Sequence, residues 1–344
     1  MKGLRSKSFI RLMPLVLAAA LLLPGATPTV RVRPPVNAGT YYPADAAKLR
    51  EVIRGYFEKA GVEPMNARLV ACIAPHSAFG FSGAVAAHAF KELRPGQYDR
   101  VIVIAPSNFA TFPGCSVPAV EGFATPLGVT PLAGPAIRQL CLSPQVTLRT
   151  LRYDEVAQRS QVHEKEHAIE VLLPLLQERL GYFELVPILV GDLSRPGGEF
   201  DVHVLDAVAE AIRGIVTERT LIVASSNFTQ YGEEFQYVPF RENIVERIKA
   251  LDDTAFSRIL ARDAEAFRAY LRETRNPIGG QNAILLLLRL LPKNAFGRVV
   301  AYDTSGRMTG MPARSVSYAA IDFHDLTQAP LPTAESASEP KSDE

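Results

Sequence analysis

The 344-residue chain sets 37 lysines and arginines against 36 aspartates and glutamates, for a net charge of +1, with 47% hydrophobic residues and no tryptophan. This balance lacks the basic stripe by which nucleic-acid binders hold a phosphate backbone, yet supplies enough apolar residues for a large core. Three cysteines, Cys72, Cys115 and Cys141, are too few for a disulfide framework.

Lys2, Arg5, Lys7 and Arg11 precede an apolar run at residues 12–23, broken only by Pro14. Residues 1–29 therefore read as a signal peptide or an N-terminal anchor, since a dozen apolar residues fall short of the roughly 20 that span a bilayer. Cleavage after Ala26 would leave Pro24 at the third position back, where a small residue is preferred, so an uncleaved anchor through 12–23 stands beside removal. The expectation is an exported protein, periplasmic or extracellular, with the N-terminal segment as its candidate membrane contact. Export would make a Cys115–Cys141 bridge one option; Cys72, within an apolar strand pattern, reads as a packed thiol.

Residues 30–35 read as an extended linker, and 36–325 as one α/β domain. A helix is expected over 44–60, with Leu49, Ile53 and Phe57 on one face. The apolar run 69–74 reads as a buried strand, followed at once by Pro75 and His76, with Ser82-Gly83 opening a helix over 84–93. A strand, a short polar turn and a helix place a side chain at the carboxyl edge of an open sheet, where ligands sit. Strand 100–105 ends the same way in Pro106-Ser-Asn108. Residues 114–128 look irregular, and 134–142 form a short helix.

A helix is expected over 163–180, putting Glu166 with Glu170, and His163 with His167, on shared faces. A strand at 183–190 ends in Gly191-Asp192, where the aspartate suits a turn or cap. After a helix over 202–216, strand 220–224 leads into Ser225-Ser-Asn-Phe-Thr-Gln-Tyr-Gly232. Helical patterns fill 240–274 with a break near Asp252. Gly279-Gly280 precedes an apolar helix at 281–291. Strands at 298–303 and 316–323 flank a turn over 304–310, and 326–344 read as a disordered, Pro/Ser/Ala/Glu-rich tail. Strands alternating with helices predict an α/β three-layer sandwich around a central mixed or parallel sheet.

His163-Glu-Lys-Glu-His167 matches the zinc-protease pattern His-Glu-x-x-His letter for letter, but at a helix start and without an evident third ligand. A metal-dependent hydrolase through His163 and His167 is thus one alternative. Glu166, His167 and Glu170 also suit a structural role, because acids in a first helical turn meet the macrodipole favourably.

Six segments in register carry a resemblance to the Memo family, also called protein B of the AmmeMemoRadiSam system. They are Ala38-Gly-Thr-Tyr-Tyr-Pro43, Ala74-Pro-His-Ser-Ala-Phe-Gly-Phe-Ser-Gly83, Ala105-Pro-Ser-Asn108, Thr125-Pro-Leu-Gly128, Glu166-His-Ala-Ile-Glu170 and Ser225-Ser-Asn-Phe-Thr-Gln-Tyr-Gly232. The resemblance implies a fold like the class III extradiol dioxygenases and a redox metal, iron or copper, held by two histidines and a cysteine in some members. His76 keeps the first ligand position. Asn108 stands where the family has the second histidine, and Gly279 where it has the cysteine. Asn227 and Gln230 replace the Asp and His of Ser-Ser-Asp-Phe-x-His.

Amide side chains and glycine do not replace imidazole and thiolate toward such metals, and Gln230 cannot titrate as a general base. The expectation is therefore no cofactor, with a transition metal on His76 only if the site is retained, and an unidentified small-molecule or protein ligand. Its pocket would comprise His76, Asn108, Glu166, His167, Glu170, Asn227, Gln230 and Gly279. A dioxygenase-like or other redox enzyme, rebuilt around His76, Glu166 and His167, is the second alternative.

Overall fold

The computed structural model describes residues 31–149, 162–194 and 200–333. The segment 1–29 expected to be a signal peptide or anchor, and the tail beyond 333, lie outside them. In chain order, strands are β1 Val32–Arg33, β2 Arg68–Ala74, β3 Arg100–Pro106, β4 Cys115–Pro118, β5 Gly122–Thr125, β6 Gly128–Pro131, β7 Val146–Arg149, β8 Glu184–Val190, β9 Thr220–Ser225, β10 Gln230–Tyr231, β11 Ala295–Thr304 and β12 Ser315–Asp325. Helices are α1 Ala46–Lys59, α2 Phe79–Phe90, α3 Gly134–Leu140, α4 Leu173–Leu180, α5 Val202–Arg213, α6 Ile244–Leu260, α7 Ala264–Thr274, α8 Gln281–Leu290 and α9 Ser305–Thr309.

Among the described residues, one sheet runs in the order β10-β12-β2-β9-β3-β8-β4-β7, with β11 also paired to β12, and a small sheet joins β1, β5 and β6. Strands β2, β9, β3 and β8 are mutually parallel and buried on both faces; β12 and β4 border them antiparallel. Continuous runs such as Val101–Ala105, wholly enclosed, are what a parallel sheet covered by helices on both sides demands. Helices α1 and α2 pack together, as do α5 and α8, and the result is a mixed α/β sandwich. Leu49, Ile53 and Phe57, at helical spacing, are the buried face of α1.

Several expectations give way to tertiary contacts. The described part of the expected 30–35 linker, from residue 31 on, is no simple linker: β1 pairs with β5, and the Arg33 side chain is enclosed. The 114–128 stretch holds β4 and β5 rather than irregular chain. Helix α2 starts at Phe79, so Ser82 and Gly83 lie inside it; the 240–274 helices part at 261–263, where Asp263 caps α7, not near Asp252. The helix expected over 163–180 shrinks to a 3-10 turn at Glu170–Leu172 and α4. The reason is chemical. The Arg33 guanidinium takes the carbonyls of His163, Glu164 and Glu166, which a helix would need for its own bonds, while Glu166 Oε1 accepts from the amides of His167 and Ala168. Residues 304–310 form α9 instead of an open turn. The described start of the tail is docked: the Gln328 carbonyl accepts from Arg68 N, and the Leu331 carbonyl from Gln97. All three cysteines are free, Cys72 and Cys115 buried, so there is no Cys115–Cys141 bridge.

Candidate functional site at the carboxyl edge of the sheet

Three neighbouring parallel strands end side by side. β2 runs into Pro75-His76, β9 into Ser226-Asn227 and β3 into Ser107-Asn108. Their shared direction, not their separation in sequence, brings these turns together.

His76 is 2% exposed. Its amide donates to Asn227 Oδ1 at 3.0 Å, and its Nδ1 lies 2.8 Å from the Ser225 hydroxyl. That hydroxyl already donates its one proton to the Ala168 carbonyl at 2.6 Å. It can therefore only accept from the ring, which places the His76 proton on Nδ1 and leaves Nε2 with a lone pair. Burial, reinforced by nearby His167, holds the His76 pKa well below the ordinary histidine value. The imidazole is neutral at physiological pH.

His167 stands 5.5 Å from His76 between ring centroids, roughly edge to face, and also packs on Tyr41 and Phe109. Its Nδ1 is 3.3 Å from Glu166 Oε1, a close ion-pair distance without hydrogen-bond geometry. Burial lowers the His167 pKa, opposed by the charges of Glu166 and Glu170. Glu166 is fully occupied: Oε1 accepts from Asn108 Nδ2 at 2.9 Å, and Oε2 from the Asn108 amide at 2.6 Å.

Gln230 and Gly279 meet on the other side of Asn227. A Cβ added at Gly279 would stand 2.8 Å from Gln230 Nε2, so the glutamine amide fills the room a larger side chain would need. Asn227 Nδ2 donates to Ser77 Oγ at 3.1 Å. A cleft of about 520 Å³ opens beside His167, bordered also by Tyr41, Ser77, Phe81, Arg314 and Tyr318; of the expected pocket residues, His167 alone lines it. A second recess of about 180 Å³, between Ser107, Asp192 and Gly279, approaches from the β8 side.

Two of the expected site residues are turned elsewhere. Glu170 is fully enclosed and accepts four bonds: from Arg33 Nη1 at 2.5 Å, Asn37 N and Nδ2 at 2.8 Å each, and Tyr42 OH at 2.5 Å. It anchors the N-terminal segment rather than lining the cleft. His163 points its Nε2 at Ser116 Oγ, 3.0 Å away on β4. Neither His163 nor His167 lies on a helix, so the shared faces expected for 163/167 and 166/170 do not exist. Asp192 closes a turn by accepting from Ser194 N.

Sequence reasoning missed Arg33, Ser225, Tyr41 and Tyr318. Ser225 and Tyr41 carried a signal, since both lie inside matched motifs; Arg33, in a proline-flanked segment, carried none.

The metal that the resemblance implies does not fit these residues. Asn108 is committed to Glu166, and position 279 offers neither a donor atom nor, with Gln230 in place, room for one.

A mixed-sheet α/β sandwich with a buried, neutral histidine at the carboxyl edge of its central strands defines the class of protein. The Memo-like protein model matches residues 33–322, and the chain belongs to that family. It is similar to the protein memo-1 homolog of Caenorhabditis elegans, at 29% identity over 82% of this chain and 80% of that one. It is 28% identical to human protein MEMO1, covering 83% and 94%, and 28% identical to a MEMO1 family protein of Nitrosopumilus maritimus (strain SCM1), covering 85% and 99%. An uncharacterized protein of Escherichia coli K12, solved by crystallography, aligns with a TM-score of 0.46 at 13% identity, over 74% of this chain and 99% of that one.

Proposed function

We propose that this chain is an exported, Memo-like binding protein. Its family metal positions have become neutral groups, and its cleft beside His76 and His167 receives a small molecule or a segment of another protein. The observation that carries the reading is the Gln230 amide, 2.8 Å from where a Cβ at Gly279 would stand. The ligand position is filled by a neighbour. Asn108 supports the same reading by spending its side chain on Glu166.

The rival reading, a redox enzyme rebuilt around His76, Glu166 and His167, draws support from the unprotonated His76 Nε2 near His167. A hydrolase using His163 and His167 draws none, since His163 engages Ser116 away from the cleft.

Metal analysis of protein purified without an affinity tag separates these readings. The binder reading expects no iron, copper or zinc that disappears on His76→Ala. Stoichiometric metal lost in that variant overturns it, and metal lost on His163→Ala instead favours the hydrolase. Export rests on residues 1–29; fractionation of cells expressing the full chain tests it, and retention in the cytosol refutes it.

A further inference from the structure

At the opposite edge of the sheet, His324 and Asp322 project from β12 toward Glu92, just beyond α2. Two residues apart on a strand, they share its face. Among the described residues these three form the one group of three histidine, cysteine or acidic side chains whose ligand atoms lie within 4.8 Å of one another. The His324 ring is fully enclosed. Its Nε2 is 3.3 Å from Glu92 Oε2, while its buried Nδ1 has no hydrogen-bond partner and stands 3.9 Å from Asp322 Oδ1. An enclosed imidazole nitrogen without a partner costs free energy, and needs a reason to be there.

Arg298, the cross-strand neighbour of Asp322 on β11, neutralises part of the cluster. It reaches Asp322 Oδ2 at 2.8 Å and Glu92 Oε1 at 2.5 Å. Two carboxylates against one guanidinium still leave one negative charge when His324 is neutral. The arginine is a quarter exposed; its Nε also donates to Asp322 Oδ2 at 2.9 Å and its Nη1 to the Glu63 carbonyl at 2.8 Å, bonds that an entering cation would have to displace. Beside the cluster, a cleft of about 210 Å³ is bordered by Met65, Glu92, Tyr98 and Leu331, so that Glu92 joins it to the cluster.

We infer that Glu92, Asp322 and His324 form a second site, for a divalent cation of the zinc class, with Arg298 as its exchangeable counter-ion. One imidazole and two carboxylates suit a borderline metal, leaving a coordination position toward the cleft. A doubly charged ion balances both carboxylates, so the guanidinium is released as the ion enters. The site is separate from His76 and holds whatever the fate of the reading above.

The test is titration of the full-length, untagged protein with Zn²⁺ alone, by calorimetry and by metal analysis after dialysis. One equivalent is expected to bind to wild type and to His76→Gln alike. His324→Gln and Glu92→Gln should each weaken binding by about 10- to 100-fold or more. Arg298→Ala should tighten it, because the competing cation is gone. Glu92 is partly exposed, so its variant reports even if His324→Gln fails to fold. No saturable zinc in wild type and Arg298→Ala, or binding unchanged by Glu92→Gln, overturns the inference. Binding lost on His76→Gln places the zinc at the other site and overturns it as well.

Discussion

Arg33→Ala should be among the most damaging single changes to the fold. The side chains of Arg33 and Glu170 are 1% and 0% exposed, and 137 residues separate them in the chain. Deleting one partner of such a pair strands the other's charge, at about 3–5 kcal/mol. The variant also orphans the carbonyls of His163 and Glu166, each bonded within 2.8 Å, adding about 1 kcal/mol apiece where water cannot reach. The ring of Phe123, 4.9 Å beneath the guanidinium, loses its cation as well. A total near 5–7 kcal/mol follows, which at about 2 °C per kcal/mol for a domain of this size lowers the Tm by roughly 10–14 °C. Thermal melts and urea titrations of wild type, Arg33→Ala and Arg33→Met/Glu170→Leu measure it. The double variant removes both charges and should recover about 1–3 kcal/mol over Arg33→Ala. A loss under 1 kcal/mol in Arg33→Ala, or a double variant no better than the single, refutes the account of this pair as the clamp on residues 163–170.

Ser225→Ala removes both the acceptor for His76 Nδ1 and the donor to Ala168. It should cost about 1–3 kcal/mol and shift the His76 tautomer, which ¹⁵N NMR of the ring reads directly; an unchanged tautomer contradicts the assignment. Gly280→Ala would bring a Cβ to 2.5 Å from the Ser225 carbonyl and the Ser226 side chain, so the strand-end turn must move. A loss of at least about 1–3 kcal/mol in urea titrations, with weakened cleft binding, is expected. His76 and His167 both have pKa values depressed by burial, so the unfolded chain binds protons that the folded one refuses. Stability should be intact above pH 6.5 and fall as the pH drops below it, by up to about 1.4 kcal/mol per pH unit for each histidine. His76→Gln should flatten that slope, and an equal slope in the variant rules the histidine out. The triple variant Asn108→His/Gln230→Ala/Gly279→Cys supplies two ligands of the kind the resemblance implies and makes room for one; metal analysis should find more copper or iron in it than in wild type.

The sequence by itself determined the central strands β2, β3, β8 and β9 and the points where they end. Runs such as 69–74 and 101–105, apolar throughout and closed by proline, are readable because a doubly covered parallel strand has no polar face. It also determined that His76, Asn108 and Asn227 would gather, since parallel strands deliver their carboxyl ends to one edge. Only the tertiary structure decided which of the candidate carboxylates serve the cleft and which serve the scaffold. Glu166 and Glu170 look alike four residues apart, and a helix would have set them on one face. Arg33, from a segment without periodicity, takes the carbonyls that such a helix required, and binds Glu170 from the far end of the chain. Local pattern encodes burial along an element. It does not encode a guanidinium arriving from 130 residues away to claim the backbone.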